Sequence, residues 1–204
     1  MKLIYTASQV REAEKPYIEA ADYDGYLMQR AADAVAAEAQ DLLRGKDNAK
    51  ILLLIGPGNN GADTIYAGAR LSAKGHRVDA VIFDSSEKNL ELIAREGGEG
   101  TRVLDPEHTH EQLAGYDLTI DGILGTGSSG AVRGSAGEYL GVLRAAQLDG
   151  KLGAVLAVDT PSGVDNNRGT VHEPSLRADR TVTFIGHKLP AGTSHSVHSG
   201  DIKL

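Results

Sequence analysis

The sequence predicts an α/β fold, a three-layer α/β/α sandwich with a mostly parallel central sheet. From residue 50 onward, short apolar runs alternate with helical segments, which is typical of parallel strands joined by crossover helices. Neither a repeat nor a low-complexity linker interrupts this alternation, so we expect residues 1–204 to form one domain. The expected architecture is Rossmann-like, with N-terminal helices packed on the sheet.

Two helices are predicted in the opening segment. Thr6 and Gln9 have the spacing of a capping box, although Ser8 is a competing N-cap. In the second helix, apolar residues recur at helical spacing from Leu27 to Leu42, and Gly45 supplies the expected left-handed stop. We interpret this apolar stripe as core packing.

The strands and the remaining helices follow in alternation. Apolar runs predict strands at residues 51–55, 77–83, 117–124, 153–159, 180–184 and 201–204. Helices are predicted at Ala62–Lys74, Glu87–Glu96, Glu107–Leu113 and Ser135–Leu148. Gly75 and Gly150 are the expected stops of the first and the last of these helices.

Composition excludes several classes of function. The chain has 21 basic and 28 acidic side chains, a net charge of -7 and no Cys. A disulfide framework, a thiolate metal site and a cysteine nucleophile are therefore excluded. The negative balance argues against broad nucleic-acid binding, which needs clustered Lys and Arg. No targeting or membrane-spanning segment is visible, so we expect a soluble, cytoplasmic protein.

The turn after the first predicted strand is rich in glycine. Ligands of open α/β sheets bind beyond the carboxyl ends of strands, where the strand order reverses. Residues 56–63 read GPGNNGAD and open a helix, whose free N–H groups favour an anion such as a phosphate. The turn matches neither G-x-G-x-x-G nor the Walker pattern, and such turns also serve only to reverse a chain.

Two other predicted strands end on a carboxylate. Asp121 is followed by a second glycine-rich turn that could wrap a polar ligand. Asp159 is followed by Pro161 and Ser162, and a carboxyl group placed there can act as a general acid or base if burial raises its pKa. Considered alone, Asp159 is equally consistent with capping a turn or the next helix.

The three turns are expected to converge on one edge of the sheet. The oxygen atoms of Asn60, Asp121 and Ser162 suit a hard cation such as potassium or magnesium. Lys188 follows a predicted strand and could bring a positive charge to the same edge. The histidines without metal-ligand spacing are interpreted as solvated surface residues: His108, His110, His187, His195 and His198.

Five segments, in order along the chain, resemble the N-terminal YjeF domain, the family of NAD(P)H-hydrate epimerases. They read LMQRAA from 27, GPGNNGAD from 56, DGILGTGSSGAVRG from 121, AVDTPSGVD from 157 and TVTFIGHKLP from 181. The corresponding family patterns are LMERAG, GPGNNGGDG, D-A-[IL]-[FL]-G-[TF]-G, AVDIPSGVD and TVTFGAxKPG. Five motifs in the right order are far more specific than any one of them.

The resemblance implies an isomerase of metabolite repair, which interconverts the R and S epimers of hydrated NADH and NADPH (NADHX and NADPHX). It implies that the dinucleotide is bound by Asn59, Asn60, Gly61, Ala62 and Asp63. It also implies a turn that wraps the ligand, formed by Gly125, Thr126, Gly127, Ser128, Ser129, Gly130 and Ala131. Asp159 would contact the altered ring, and a potassium ion would be held by Asn60, Asp121 and Ser162.

The chemistry of the implied reaction assigns a role to Asp159. Protonation of the ring hydroxyl as it leaves would give a conjugated iminium cation, which a neighbouring carboxylate stabilises while water returns on either face. We expect Asp159 to be this acid/base. The resemblance further implies an NAD(P)H-hydrate dehydratase as a fused or separate partner, and a homodimer formed through the opening helices.

Two departures from the family pattern leave an alternative open. Ala62 and Thr64 replace family glycines; a positive φ at residue 62 would alter the phosphate turn, and Thr64 would add bulk near the ligand. A non-catalytic module that binds a nucleotide or a partner is therefore the main alternative. An ordinary NAD-dependent dehydrogenase is a weaker alternative, since G-x-G-x-x-G and a Tyr-x-x-x-Lys pair are missing.

Overall fold

The computed structural model describes residues 3–83, 87–106, 113, 115–188 and 197–204. Its helices are α1 Ala7–Ile18, α2 Tyr26–Leu43, α3 Asn59–Ala73, α4 Glu87–Glu96 and α5 Gly134–Leu148. Its first strands are β1 Ile4–Tyr5, β2 Lys50–Ile55, β3 Arg77–Ile82, β4 Thr101–Leu104, β5 Leu118–Gly122 and β6 Ala154–Val158. They are followed by β7 Val164–Asp165, β8 Thr170–Val171, β9 Arg180–Val182, β10 His187–Lys188 and β11 Asp201–Lys203.

A seven-stranded sheet in the order β11-β9-β6-β5-β2-β3-β4 forms the centre of the fold, and each neighbouring pair in it is parallel. The chain runs from β2 outward to β4 and then crosses to β5 on the other side of β2, so the strand order reverses between β2 and β5. This confirms the predicted α/β class. Ligands of such sheets bind at the carboxyl ends of the strands beside the reversal.

The sheet is covered on both faces, as β2 illustrates. Ile51, Leu53 and Ile55 belong to a core cluster that includes side chains of α2, α3 and α4. Leu52 and Leu54 belong to a second cluster, which α5 completes. A strand buried on both faces reads as an unbroken apolar run rather than as an alternating one, which is why β2 is evident in the sequence.

Most predicted element ends are confirmed. Thr6 and Gln9 form the capping box, and Gly75 and Gly150 have the left-handed φ values of 89° and 67° expected after α3 and α5. The α3 helix begins at Asn59 rather than at Ala62, because tertiary packing overrides the low helix propensity of asparagine and glycine.

Other short elements were not predicted. The edge strand β4 has a largely exposed sequence, and β1, β7, β8 and β10 have only two residues each. The predicted helix at Glu107–Leu113 lies, apart from Leu113, outside the described residues. Within the described part of the chain, no helix combines the length and apolar character needed to cross a membrane.

Candidate functional site

A cavity of about 800 Å³ opens at the carboxyl ends of β2, β5 and β6, the three neighbouring strands whose turns were expected to converge. Its volume is within the range of small-molecule sites. Part of its lining is apolar and consists of Val10, Ile18, Leu27, Met28, Phe184 and Ile185. The polar wall consists of the glycine-rich turns with Asp159 and Lys188. The cavity therefore offers an apolar surface for a flat ring beside groups that bind anions.

The turn between β2 and α3 is tightly packed. A Cβ atom on Gly56 would lie 1.8 Å from the Ile123 carbonyl oxygen, and one on Gly61 would lie 2.0 Å from the Gly56 carbonyl oxygen, so both positions require glycine. Asn59 begins α3 at the cavity wall. The first N–H groups of a helix lack intrahelical acceptors, and they make this end of α3 a site for an anion.

Asparagine side chains fix this turn in place. The Asn89 amide donates to the Gly56 carbonyl at 2.7 Å, and the Asn60 amide donates to the Val158 carbonyl at 3.0 Å. The second bond ties the start of α3 to the end of β6, and because the amide nitrogen of Asn60 is used, its oxygen remains as an acceptor. No sequence pattern singled out Asn89.

The structure corrects the expectations for Ala62 and Thr64. Ala62 lies within α3 without a positive φ, and its side chain belongs to the core cluster shared with α2. The Thr64 side chain is fully buried over Gly122, and its hydroxyl donates to the Asn60 carbonyl at 2.8 Å. Neither residue lines the cavity, so neither adds bulk beside a bound ligand.

Asp159 lines the cavity in a strained backbone conformation, with φ 65°. Its Oδ2 accepts a hydrogen bond from the Thr126 N–H at 2.7 Å, and its Oδ1 accepts one from Lys188 Nζ at 2.6 Å. Lys188 also donates to the Thr183 hydroxyl and to the Phe184 carbonyl. The expected positive charge therefore reaches this edge and pairs with Asp159.

The turn after β5 lies against Asp159. A Cβ atom on Gly125 would be 3.2 Å from both Asn60 Oδ1 and Asp159 Oδ2, so glycine lets the backbone pass close to both groups. The cavity is lined by Gly125, Thr126, Gly127 and Ser128, whereas Ser129, Gly130 and Ala131 are outside its lining. Gly61 is likewise outside it, and Pro57, Gly58, Asn59, Asn60 and Asp63 are within it.

Asp121 and Ser162 form a buried pair behind this wall. Ser162 donates to the Asp121 carboxylate from its N–H at 2.8 Å and from its hydroxyl at 2.6 Å, and Ile123 N–H donates at 3.3 Å. Burial raises the pKa of Asp121, and these hydrogen bonds oppose the rise. Among the described residues no basic side chain pairs with Asp121, so a proton or a bound cation has to neutralise it.

Two more acids line the cavity. Burial raises the pKa of Asp63 to about 8, with further contributions from the charges of Asp159 and Glu14. Burial also raises the pKa of Glu14, and the nearby Lys188 opposes that rise. Within the described residues, no group of three or more His, Asp or Glu side chains is arranged to hold a metal ion.

Several lining residues were missed by sequence reasoning. Arg11 and Glu14 of α1 and Arg30 of α2 face the cavity, as does Thr183. In α1, Arg11 and Glu14 have helical spacing with the buried Ala7 and Val10, a pattern that could have placed them on the inner face of the helix.

The histidines that were expected at the surface differ in their surroundings. His198 is buried rather than solvated, with Nε2 at 3.8 Å from a carboxylate oxygen of Glu173, so the surface interpretation is wrong for this residue. His187 is half-buried in β10. His108, His110 and His195 lie outside the described residues.

Known proteins resemble this chain in sequence. A family described as YjeF-related protein N-terminus matches residues 25–189. The NAD(P)H-hydrate epimerase of Microbacterium testaceum is 38% identical, over 88% of this chain and 68% of its own length. The bifunctional NAD(P)H-hydrate repair enzyme Nnr of Mycobacterium tuberculosis is 31% identical, over 92% of this chain and 38% of its own length.

A solved structure supports the fold. The crystal structure of yeast ynu0 superimposes with a TM-score of 0.77 at 20% identity, covering 97% of this chain and 84% of that one. The chain spans between 33% and 38% of the length of the bifunctional Nnr proteins of Mycobacterium tuberculosis, Thermanaerovibrio acidaminovorans and Corynebacterium glutamicum.

Proposed function

Since the chain belongs to the family of YjeF-related N-terminal domains, we propose that it is an NAD(P)H-hydrate epimerase, which interconverts the R and S forms of NADHX and NADPHX. The observation that carries the proposal is the position of Asp159. This carboxylate lies in a cavity whose neighbouring wall is the start of α3, where the phosphates of a dinucleotide can bind. Residues 1–204 would form one such domain.

The cavity offers a complementary group for each part of the substrate. The pyrophosphate would bind to the N–H groups at the start of α3, around Asn59 to Asp63. The turn from Gly125 to Ala131 would wrap the dinucleotide, with its first half lining the cavity. Arg11 and Arg30 line the cavity without an ion pair to other described residues, and each can meet a phosphate charge.

Asp159 would be catalytic at the altered ring. When the ring hydroxyl departs as a water molecule, a positive charge remains, shared between the ring nitrogen and its neighbouring carbon. The Asp159 carboxylate, held by Lys188 and by the Thr126 N–H, is fixed in place before this charge develops. A preorganised carboxylate stabilises such a cation without the reorganisation that water would need, and it can accept the proton of the returning water.

A potassium ion would be held by Asn60, Asp121 and Ser162. The donors fit, because Asp121 is a buried carboxylate with no basic partner among the described residues and because hard cations prefer oxygen ligands. When bound, the ion supplies positive charge that orders the turns. Asp121 and Ser162 join the end of β5 to the turn after β6 through their own hydrogen bonds.

The partner and the location are proposed on the same basis. The bifunctional names of several relatives support an NAD(P)H-hydrate dehydratase as a fused or separate partner. The family resemblance suggests a homodimer formed through α1 and α2, and the sequence composition suggests a cytoplasmic location.

Epimer interconversion tests the proposal directly. Purified S-NADHX is incubated with the protein in potassium buffer, and the R and S forms are separated by chromatography against a no-protein control. We expect faster interconversion with the wild type and with Asp149→Asn, which removes an exposed carboxylate whose recorded ion pair is with Lys151. Asp159→Asn is expected to lose about 10²–10⁴-fold in kcat.

The remaining outcomes separate the alternatives. A wild type that binds NADHX but matches the no-protein rate would be a non-catalytic binding module. A folded Asp159→Asn protein that epimerises at the wild-type rate would remove Asp159 from the mechanism while leaving the epimerase activity intact.

A further inference from the structure

Asp63 stands apart from the other acids of the cavity. It lies in the second turn of α3, lines the cavity and is only 8% exposed. Its Oδ1 atom is buried and has no hydrogen-bond partner among the described residues. A buried carboxylate oxygen without a donor is costly in its charged form, whereas a neutral carboxyl group can donate its proton to a ligand.

The charges around Asp63 favour its neutral form. Burial is the main cause of its raised pKa, and the carboxylates of Asp159 and Glu14 add to the effect. The charged or titratable side chains that line the cavity with Asp63 are Arg11 and Glu14 of α1, Tyr23 between α1 and α2, Arg30 of α2, Asp159 after β6 and Lys188 of β10. Lys188, the lysine among the described lining residues, donates its hydrogen bonds to Asp159, Thr183 and Phe184 and not to Asp63.

Asp159 is arranged for the opposite role. Its two oxygens accept hydrogen bonds from the Lys188 ammonium and from the Thr126 N–H, which hold the carboxyl group in place to accept a proton from water. A different acid of the cavity would then protonate the leaving hydroxyl. Glu14, which is half-buried on α1, lies beside Lys188.

We propose that Asp63 is the general acid of the epimerase, donating its proton to the leaving ring hydroxyl, and that Asp159 is the base that accepts the proton of the returning water. This rests on the proposed function. The carbon–oxygen bond breaks, its electron pair leaves with the oxygen as water, and the ring nitrogen lone pair forms the carbon–nitrogen double bond. Water then adds to the opposite face and gives its proton to Asp159, and the proton returns to Asp63 through solvent. No oxidant or reductant is needed. In the reverse direction the two roles exchange: Asp159, protonated through solvent, donates to the leaving hydroxyl, and the returning water gives its proton to Asp63.

The test compares Asp63→Asn with wild type and Asp149→Asn, using S-NADHX in potassium buffer from pH 6 to pH 10, with the no-protein rate subtracted at each pH. We expect Asp63→Asn to bind NADHX, measured by equilibrium dialysis, within a few-fold of wild type while kcat falls about 10²–10⁴-fold. Asp149→Asn should behave as wild type.

The pH profile of the wild type gives a second readout that needs no variant. The acid has to be protonated in the free enzyme, so kcat/KM is expected to fall tenfold per pH unit above about 8, the pKa of Asp63. A wild-type kcat/KM that stays constant across this range, or an Asp63→Asn kcat equal to that of the wild type, would overturn the assignment. A wild type that does not epimerise at any pH would instead refute the proposed function.

Discussion

Replacing Asp63 by asparagine should stabilise the folded protein, and the gain should depend on pH. The side chain has a pKa of 3.8 when exposed and about 8 in the fold, so the native state binds more protons than the unfolded state between these values. The free energy of unfolding of the wild type is therefore not reduced by Asp63 below pH 4, and it falls progressively as the pH rises to about 8. Asparagine does not titrate, so the variant does not lose this free energy.

The size of the effect follows from linkage. About four pH units at about 1.4 kcal/mol each set a ceiling of about 6 kcal/mol above pH 8. At pH 5 the titration has covered only about 1.2 of these pH units, from 3.8 to 5, so the difference between variant and wild type should be about 1.6 kcal/mol there and larger, up to that ceiling, at pH 9.

Urea denaturation followed by circular dichroism at pH 5 and pH 9 measures these differences. Asp149→Asn is the matched control, because it removes a carboxylate with an exposed side chain and should change stability little at either pH. A gain for Asp63→Asn that is equal at the two pH values, or a loss at pH 9, would show that Asp63 is not held neutral by its surroundings. The reasoning behind its role as an acid would then fail as well.

Two further predictions concern the turns. Potassium chloride should raise the free energy of unfolding of the wild type relative to choline chloride at pH 8, by about 1.4 kcal/mol at ten times the dissociation constant, and Asp121→Asn should abolish this difference. Gly61→Ala should destabilise the fold by about 1–3 kcal/mol, because its Cβ would lie 2.0 Å from a carbonyl oxygen, whereas Gly58→Ala has nothing within 4 Å and should cost much less in the same urea titration.

The sequence predicted the central sheet well, and the reason is physical. Strands such as β2 and β6 are buried on both faces, and burial on two sides requires an unbroken run of apolar residues. The edge strand β4 is half solvated and has no such requirement, so the sequence leaves no strong pattern there. The two-residue strands are set by tertiary contacts rather than by local preference.

The site was predictable where it depends on strand ends. Asn60, Asp121 and Asp159 lie at the carboxyl ends of three strands that are adjacent in the sheet, so a rule about sheet topology predicted that they would lie close together. The contribution of α1 was not predictable, since nothing local specifies that Arg11 and Glu14 lie over that edge. Asp63 was expected to bind substrate, but its neutral state depends on burial and on distant charges, which no motif encodes.

The packing between α3 and β5 explains why this chain has threonine rather than glycine at position 64. The family pattern has alanine at the position of Gly122 and glycine at the position of Thr64. In this chain the larger residue of the contacting pair is therefore on α3 instead of on β5. A Cβ atom on Gly122 would lie 1.8 Å from the Thr64 hydroxyl oxygen and 2.8 Å from its Cβ. Thr64 fills the space that an alanine at 122 would need, behind the site and outside the cavity.

A double-mutant cycle tests this compensation and, with it, the view that Thr64 does not impair catalysis. Gly122→Ala alone should cost about 1–3 kcal/mol of stability through the clash with Thr64. Thr64→Gly alone should cost about 1 kcal/mol for a glycine within a helix, plus the void that it leaves. Because each change relieves the defect of the other, the double variant should be more stable than the sum of the single effects by about 0.5–3 kcal/mol in urea denaturation. Strict additivity would mean that the two positions do not compensate, and the altered turn would again be a reason to favour a binding module over an enzyme.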